Sequence, residues 1–329
     1  MTALWRILSL PPLGEDVVRG LFAPLGDAVE MTFPQTRDRS GLLTALAGAD
    51  IVIGDFTGQL ALDAEAVAAA PRLAFFQMPA VGTDSIDVAA LAAAEVPVAN
   101  AAGFNARSVA EWAVGAAFAL CRNLAWGDRA VRAGGWPQME MAARQPREVH
   151  TQRVGIVGFG AIGAEAARLF AALGCTVSYW TRQKRPEAIA TYRELDDLMA
   201  TSDIVVLALP LTDETRRLIG PERLALLPDN ALLVNVARGG IAPDDAVLDA
   251  LKSGRLAGAA LDVYDEEPLA AEHPLRSRED VLLSPHAAGT SVQSQMNLVT
   301  LVVDNVTAAV RGQDVRNVVN GVNPQVRRR

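Results

Sequence analysis

The sequence predicts an α/β protein built from two parallel-sheet domains. Three observations carry this. Strand-like and helix-like segments alternate through the first hundred residues, the alternation resumes at Arg153 around a glycine-rich turn, and one long amphipathic helix, Ser291 to Arg311, closes the chain. Alternation of this kind folds as parallel strands with helices on the sheet faces. With 329 residues, half of them hydrophobic, the chain can fill the cores of two domains of ordinary size.

The N-terminal stretch MTALWRILSLPPLG reads as a strand over Leu4–Leu10 followed by a turn, because it lacks the basic region, full apolar region and cleavage site of a secretory leader. Further strands are expected at Ala28–Phe33, Ile51–Ile53, Leu73–Gln77 and Pro97–Ala99, with helical patterns such as SGLLTALAGA and DAEAVAAAP between them. A long helix pattern covers Ala106 to Arg122, and its apolar run Trp112–Cys121 suits burial between domains or subunits. The piece WGDRAVRAGGWPQMEMAARQPREVH is rich in Gly, Pro and charge, and reads as an irregular connector over a cleft or a partner subunit. From there strands are expected at 153–158, 175–180, 203–208, 231–236, 257–261 and 281–283, with helices at 161–173, 194–200 and 243–253. Six strands complete the second sheet near residue 285, so the final helix must pack on the first hundred residues. The expected domains are therefore 1–100 with 287–329, and 101–286, with a ligand cleft between them.

A net charge of −8 gives no footprint for nucleic acid or an anionic membrane. No run of 18 apolar residues occurs, so no membrane span is expected. The two cysteines, Cys121 and Cys175, have no motif spacing, and no metal site is expected. They read as buried free thiols of a reducing compartment, which makes the cytoplasm the expected location.

The segment Arg153–Gly163, RVGIVGFGAIG, is strand, glycine turn and helix start in succession. That context makes G-x-G-x-x-G a dinucleotide site rather than a bare turn. Gly158 permits the tight turn, Gly160 lets the backbone approach a pyrophosphate, and Gly163 lets the helix pack close to the strand. Phe159, Ala161 and Ile162 complete the loop, and the helix N-terminus offers free N–H groups to the phosphates. NAD sites usually carry Asp or Glu after the next strand. Here that strand ends in Trp180-Thr181-Arg182-Gln183-Lys184-Arg185, with three cations and no carboxylate. Thr181 and Arg182 thus favour NADP(H), because an arginine fork binds a 2′-phosphate. NAD(H) is the alternative.

Three further segments follow expected strands of the same domain, at the strand ends where open α/β sheets bind ligands. LLVNVARGG carries Arg238, GAALDVYDEEPL carries Asp262 and Glu267, and VLLSPHAAGT carries His286. Hydride transfer to a 2-oxo acid needs a cation for the carboxylate and carbonyl, and a proton donor for the developing alkoxide. Arg238 suits the first need and His286, titrating in the right range, the second. Glu267 is placed to hydrogen-bond the imidazole and favour its charged form, raising its pKa. From the residues alone Asp265, Glu266 and Glu267 are even candidates for that carboxylate, and a structural cap is the lesser, rival reading of Asp262. His150 and His273 lie in polar or Pro-flanked loops and read as structural.

VGIVGFGAIG, SDIVVLALPLTDET, NVARGG, LDVYDEEPL, SPHAAG, VGTDSIDV and NARSVAEWAVG occur in an order and spacing that resemble the D-isomer-specific 2-hydroxyacid dehydrogenase family over nearly the whole chain. The resemblance implies Rossmann-like and flavodoxin-like domains, with Arg238, Glu267 and His286 as the catalytic set. It implies that the backbone N–H groups of Val81 and Gly82 hold the substrate carboxylate, and that Arg238 and His286 also touch substrate. It implies that Pro210, Thr212, Val236, Ala237 and Gly289 line the cofactor site, that Asp262 orients the nicotinamide amide, and that the chain forms a homodimer. Related formate dehydrogenases carry Gln where Glu267 sits, and phosphite dehydrogenases Lys where Val81 sits. Related phosphoglycerate dehydrogenases carry basic residues in the loop matching Gly54-Asp55-Phe56-Thr57, where Asp55 is expected to repel a phosphate. Phe56 and Met78 are expected to border the substrate tail. The Thr-Arg pair is similar to that of NADPH-using glyoxylate and hydroxypyruvate reductases, so the expected substrate is a small 2-oxo acid. A larger or aromatic oxo acid is the alternative. Two other classes stay in view. A corepressor-like dinucleotide-binding protein has no need of the full Arg/Glu/His set, and a methyltransferase needs the acid that is missing after the second strand.

Overall fold

The computed structural model describes residues 4–185 and 188–329; Met1–Ala3, part of the stretch read for a leader, lie outside them. The first hundred residues form β1 (Trp5–Ser9), α1 (Glu15–Phe22), β2 (Val29–Thr32), α2 (Arg39–Leu46), β3 (Ile51–Ile53), α3 (Ala64–Ala68), β4 (Phe75–Gln77), α4 (Val88–Ala93) and β5 (Val98–Ala99). All pairings are parallel, in the order β2-β1-β3-β4-β5. Short β3 is legible because parallel strands covered on both faces are continuously apolar, and IVI is buried throughout. The helices between strands start where an aspartate can cap them. Asp38, Asp63 and Asp87 each accept a hydrogen bond from the N–H three residues on, at Gly41, Ala66 and Ala90.

The middle of the chain forms α5 (Ala106–Cys121), α6 (Leu124–Arg132), α7 (Gln138–Ala143), β6 (Arg153–Val157), α8 (Ala161–Ala172), β7 (Thr176–Trp180), β8 (Thr191–Tyr192), α9 (Leu195–Thr201), β9 (Ile204–Leu207), α10 (Pro221–Leu224), β10 (Ala231–Asn235), α11 (Asp244–Lys252), β11 (Leu256–Leu261) and β12 (Val281–Leu283). Its sheet is parallel in the order β12-β11-β10-β9-β6-β7-β8. Counted from β6, this is the 3-2-1-4-5-6 Rossmann order with one strand added at the far edge. Two expectations are corrected here. The sheet has seven strands rather than six, because the two-residue β8 is too short to show alternation. The connector is not irregular, for α6 and α7 occupy much of it, and the residues of α6 place their apolar members at helical spacing.

The last helix, α12 (Val292–Val310), belongs with the first sheet. The chain divides into one compact unit made of the segment up to Phe104 with Val292–Arg329, and a second unit of Asn105–Ser291. In the first, Val302, Val306 and Ala309 of α12 join Ile7, Phe22, Ile53 and Phe75 in one core, and the Asn305 amide donates to Gln77 Oε1 at 2.8 Å. In the second, α5 presents Ala110, Ala113 and Ala117, all with zero exposure, to the core that contains Ala166, Ala167 and Val234. Small residues let two helices approach closely, so the buried face of the apolar run Trp112–Cys121 is satisfied inside its own unit. Cys121 and Cys175 are buried free thiols. Among the described residues no helix is long and apolar enough to cross a membrane.

Candidate active site

The glycine turn after β6 is built by crowding on two sides and openness on the third. Gly158 has φ +98°, and a Cβ there would lie 2.4 Å from the Ala208 carbonyl oxygen. A Cβ on Gly163 would lie 2.0 Å from the Gly158 carbonyl oxygen. Only glycine fits either place. A Cβ on Gly160 would meet nothing within 4 Å, so that side of the loop is open. Among the described residues no acceptor takes the N–H groups from Phe159 to Gly163; bonding resumes with the Ala164 N–H to the Gly160 carbonyl. A row of unbonded N–H groups at the head of a twelve-residue helix is a ready anion site. The Phe159 ring packs on Tyr179, 4.1 Å between centroids, so this residue offers the site its backbone.

The loops after β7 and β9 flank that turn, since β6 lies between these strands in the sheet. The Tyr179 hydroxyl donates to the Arg185 carbonyl and accepts from the Arg185 N–H, which fixes the basic loop. Its cations diverge. Lys184 lies over the Tyr192 ring, 4.4 Å from the centroid, whereas Arg182 Nη1 meets Glu214 Oε2 at 2.8 Å. Thr181 is half-buried, and Pro210 and Thr212 are exposed. The buried Thr215 hydroxyl donates to the Pro210 carbonyl and accepts from the Thr212 N–H, closing the turn that carries Glu214.

At the other half of the sheet, the loops after β10, β11 and β12 are tied together by the backbone. The Asp262 N–H donates to the Asn235 carbonyl at 3.1 Å, and the His286 N–H to the Asp262 carbonyl at 2.8 Å. Asn235, 1% exposed, accepts from the Ala237 N–H and donates to the Arg238 carbonyl, which brackets the backbone of Arg238. Val236 and Ala237 are buried, and Arg238 is half-buried with Nη1 on the Ala237 carbonyl. A Cβ on Gly239 would sit 2.0 Å from the Tyr264 carbonyl group, so the second loop runs hard against the first. Within it Glu267 meets His286, Oε2 to Nδ1 at 2.6 Å. Its Oε1 accepts from the Tyr264 N–H at 3.1 Å, which holds the carboxylate toward the ring. Of the acidic run it is thus Glu267 that reaches the imidazole, while Asp265 bonds the N–H of Asp244. His286 has φ +53°, a left-handed conformation unfavourable for a side chain with a Cβ. Asp262, 3% exposed, stabilises it: Oδ1 accepts from Ser284 Oγ and the Ala287 N–H, and Oδ2 from the Ala288 N–H. A Cβ on Gly289 would lie 2.5 Å from Asn105 Nδ2. His150 is exposed beside Glu148, and His273 sits 3.6 Å from Asp244.

In the first unit, Val81 is exposed and Gly82 partly so. Among the described residues no acceptor takes either N–H, and Asn100 holds the loop by donating to the Val81 carbonyl at 2.8 Å. Two expectations fail nearby. Asp55 does not project a repelling charge: it is 2% exposed, paired with Arg37 at 2.7 Å, and accepts from Thr57 and the Leu60 N–H. Met78 is buried in the core with Phe76 and Leu91 and borders no substrate tail; Phe56 is exposed.

The family described as D-isomer specific 2-hydroxyacid dehydrogenase, NAD binding domain, matches residues 114–288. The chain belongs to the D-2-hydroxyacid dehydrogenases. It is 36% identical over 271 residues to a glyoxylate reductase of Aeropyrum pernix, covering 79% of this chain and 80% of that protein. It is 36% identical to a glyoxylate reductase of Thermococcus kodakarensis, covering 88% and 89%. The TT0316 protein of Thermus thermophilus, 28% identical, superposes with a TM-score of 0.83 over 95% of this chain and 99% of that one. As a D-2-hydroxyacid dehydrogenase the protein is an oxidoreductase with an NAD(P)-binding domain. Sequence reading did not single out four residues that shape the site of this dehydrogenase: Asn235, Gly239, Tyr264 and Glu214. The first two stand inside NVARGG, where the close approach to Tyr264 was the signal to look for. Glu214 lies 32 residues from its partner, and nothing local marks the pairing.

Proposed function

We propose that the protein reduces a small 2-oxo acid of the glyoxylate or hydroxypyruvate kind to the D-2-hydroxy acid, with NADPH as hydride donor. The pairing of Glu267 with His286 Nδ1 at 2.6 Å carries this reading. With Nδ1 engaged, Nε2 is the ring atom left to give a proton to the carbonyl oxygen as it becomes an alkoxide. Glu267, itself held by the Tyr264 N–H, fixes the ring. Arg238, its backbone bracketed by Asn235, binds the carboxylate and polarises the carbonyl. The Val81 and Gly82 N–H groups are the proposed backbone donors to a substrate carboxylate, supported by the lack of any described acceptor for them.

The open face of Gly160 and the unbonded N–H groups through Gly163 fit a pyrophosphate. The nicotinamide nucleotide supplies the hydride. Thr181 and Arg182 favour a 2′-phosphate there, and Pro210, Thr212, Val236, Ala237 and Gly289 are the proposed remaining contacts. Asp262 Oδ2, with one described hydrogen bond, keeps an acceptor site for the nicotinamide amide. The buried free thiols suit a reducing compartment such as the cytoplasm. A homodimer is supported by exposed apolar side chains on and between α6 and α7, Trp136 at 82% and Met139 at 78%.

The test is NADPH oxidation with a panel of 2-oxo acids, small to aromatic, by the wild type and by His286→Ala and Arg238→Ala. Loss of the positioned acid lowers kcat/KM by roughly 10²–10⁴-fold. A wild-type rate in His286→Ala overturns the mechanism, and a preference for an aromatic acid overturns the substrate.

A further inference from the structure

The sequence around Arg182 has no carboxylate, yet the fold delivers one. The loop after β9 brings Glu214 to Arg182, Oε2 to Nη1 at 2.8 Å. The two loops stand on either side of the glycine turn. Gly158 donates its N–H to the Trp180 carbonyl, beside the Arg182 loop, and its Cα packs against the Ala208 backbone, at the root of the Glu214 loop. The ion pair therefore ties together the two walls of the turn. Both anchors are firm, one held by Tyr179 on Arg185 and the other by Thr215 on Pro210 and Thr212. Arg182 and Glu214 are themselves 68% and 70% exposed, so the bond between them is easily exchanged for another anion.

We propose that Glu214 is a cofactor-discriminating residue: in the free protein it holds Arg182, and a 2′-phosphate must displace it to gain the guanidinium. The inference rests on the NADP(H) reading above. A 2′-phosphate and the Glu214 carboxylate compete for the same cation, and each also repels the other. A 2′-hydroxyl neither needs Arg182 nor meets repulsion. Glu214 thus weakens the phosphorylated dinucleotide selectively and narrows the gap between NADP(H) and NAD(H).

The test is calorimetric binding of 2′,5′-ADP and of 5′-AMP to the full chain, for the wild type, Glu214→Gln, Arg182→Ala and the double variant. Glu214→Gln is expected to tighten 2′,5′-ADP by about two- to fivefold, the range set by an exposed ion pair, with 5′-AMP unchanged. The gain shrinks at high salt and vanishes in the Arg182→Ala background. No gain for 2′,5′-ADP, or the same gain without Arg182, overturns the proposal. If Arg182→Ala fails to weaken 2′,5′-ADP, the NADP(H) reading falls and this one with it. If Arg182→Ala weakens it while Glu214→Gln changes nothing, only the role of Glu214 falls.

Discussion

Burial, with Asp265 close by, pushes the Asp244 carboxyl up to about 6 from 3.8. The two aspartates bond each other's backbone: the Asp244 N–H donates to Asp265 and the Asp265 N–H to Asp244. His273, 3.6 Å away, and Asp245 complete the charges around Asp244. A carboxyl whose folded pKa is raised stabilises the fold fully below about pH 4, and that stability is lost as pH rises through 6. Asp244→Asn removes this dependence, so its Tm relative to wild type rises between pH 4 and pH 7; a constant difference across that range refutes it. Asp55 is a buried carboxylate paired with Arg37 at 2.7 Å. Arg37→Ala leaves it uncompensated and lowers unfolding free energy by about 3 kcal/mol in urea titration at pH 7. The sequence misled at Asp55 because a lone acid in a loop looks solvent-facing, and its partner 18 positions away carries no local mark.

Loops and strands tell how far reading residues reaches. Strands as short as IVI and VLL were legible, since burial on both faces leaves an apolar run between turn signals. β8 was not, since two residues carry no period. The glycine turn was legible to the residue because each glycine answers a separate steric demand. Gly239 was not, for its crowding comes from the neighbouring strand's loop and not from a positive φ. Gly239→Ala drives a methyl into the Tyr264 backbone. It is expected to destabilise by roughly 1–3 kcal/mol. It should also lower kcat/KM for 2-oxo acid reduction, because the loops of Arg238 and Glu267 are forced apart. Unchanged kinetics and stability refute that account.

For the whole molecule, the second unit's architecture followed from alternation and one motif, whereas the wall-to-wall pairing over the glycine turn needed coordinates. The α6–α7 segment leaves more apolar surface uncovered than its polar composition suggested. Trp136→Asp combined with Met139→Asp is expected to convert a dimer to monomer in sedimentation velocity, with the far-ultraviolet circular dichroism unchanged; a persistent dimer refutes this use of the α6–α7 segment. The placement of α12 has a temporal consequence. The first sheet is finished only by Val302, Val306 and Asn305, which the ribosome makes after all of Asn105–Ser291. At about 5–20 residues per second that delay is roughly 10–40 s. During it β4 lacks its covering helix, and the second unit can complete its own core first. The first hundred residues, translated earliest, therefore wait longest for their full core, and their nascent strands stay uncovered meanwhile.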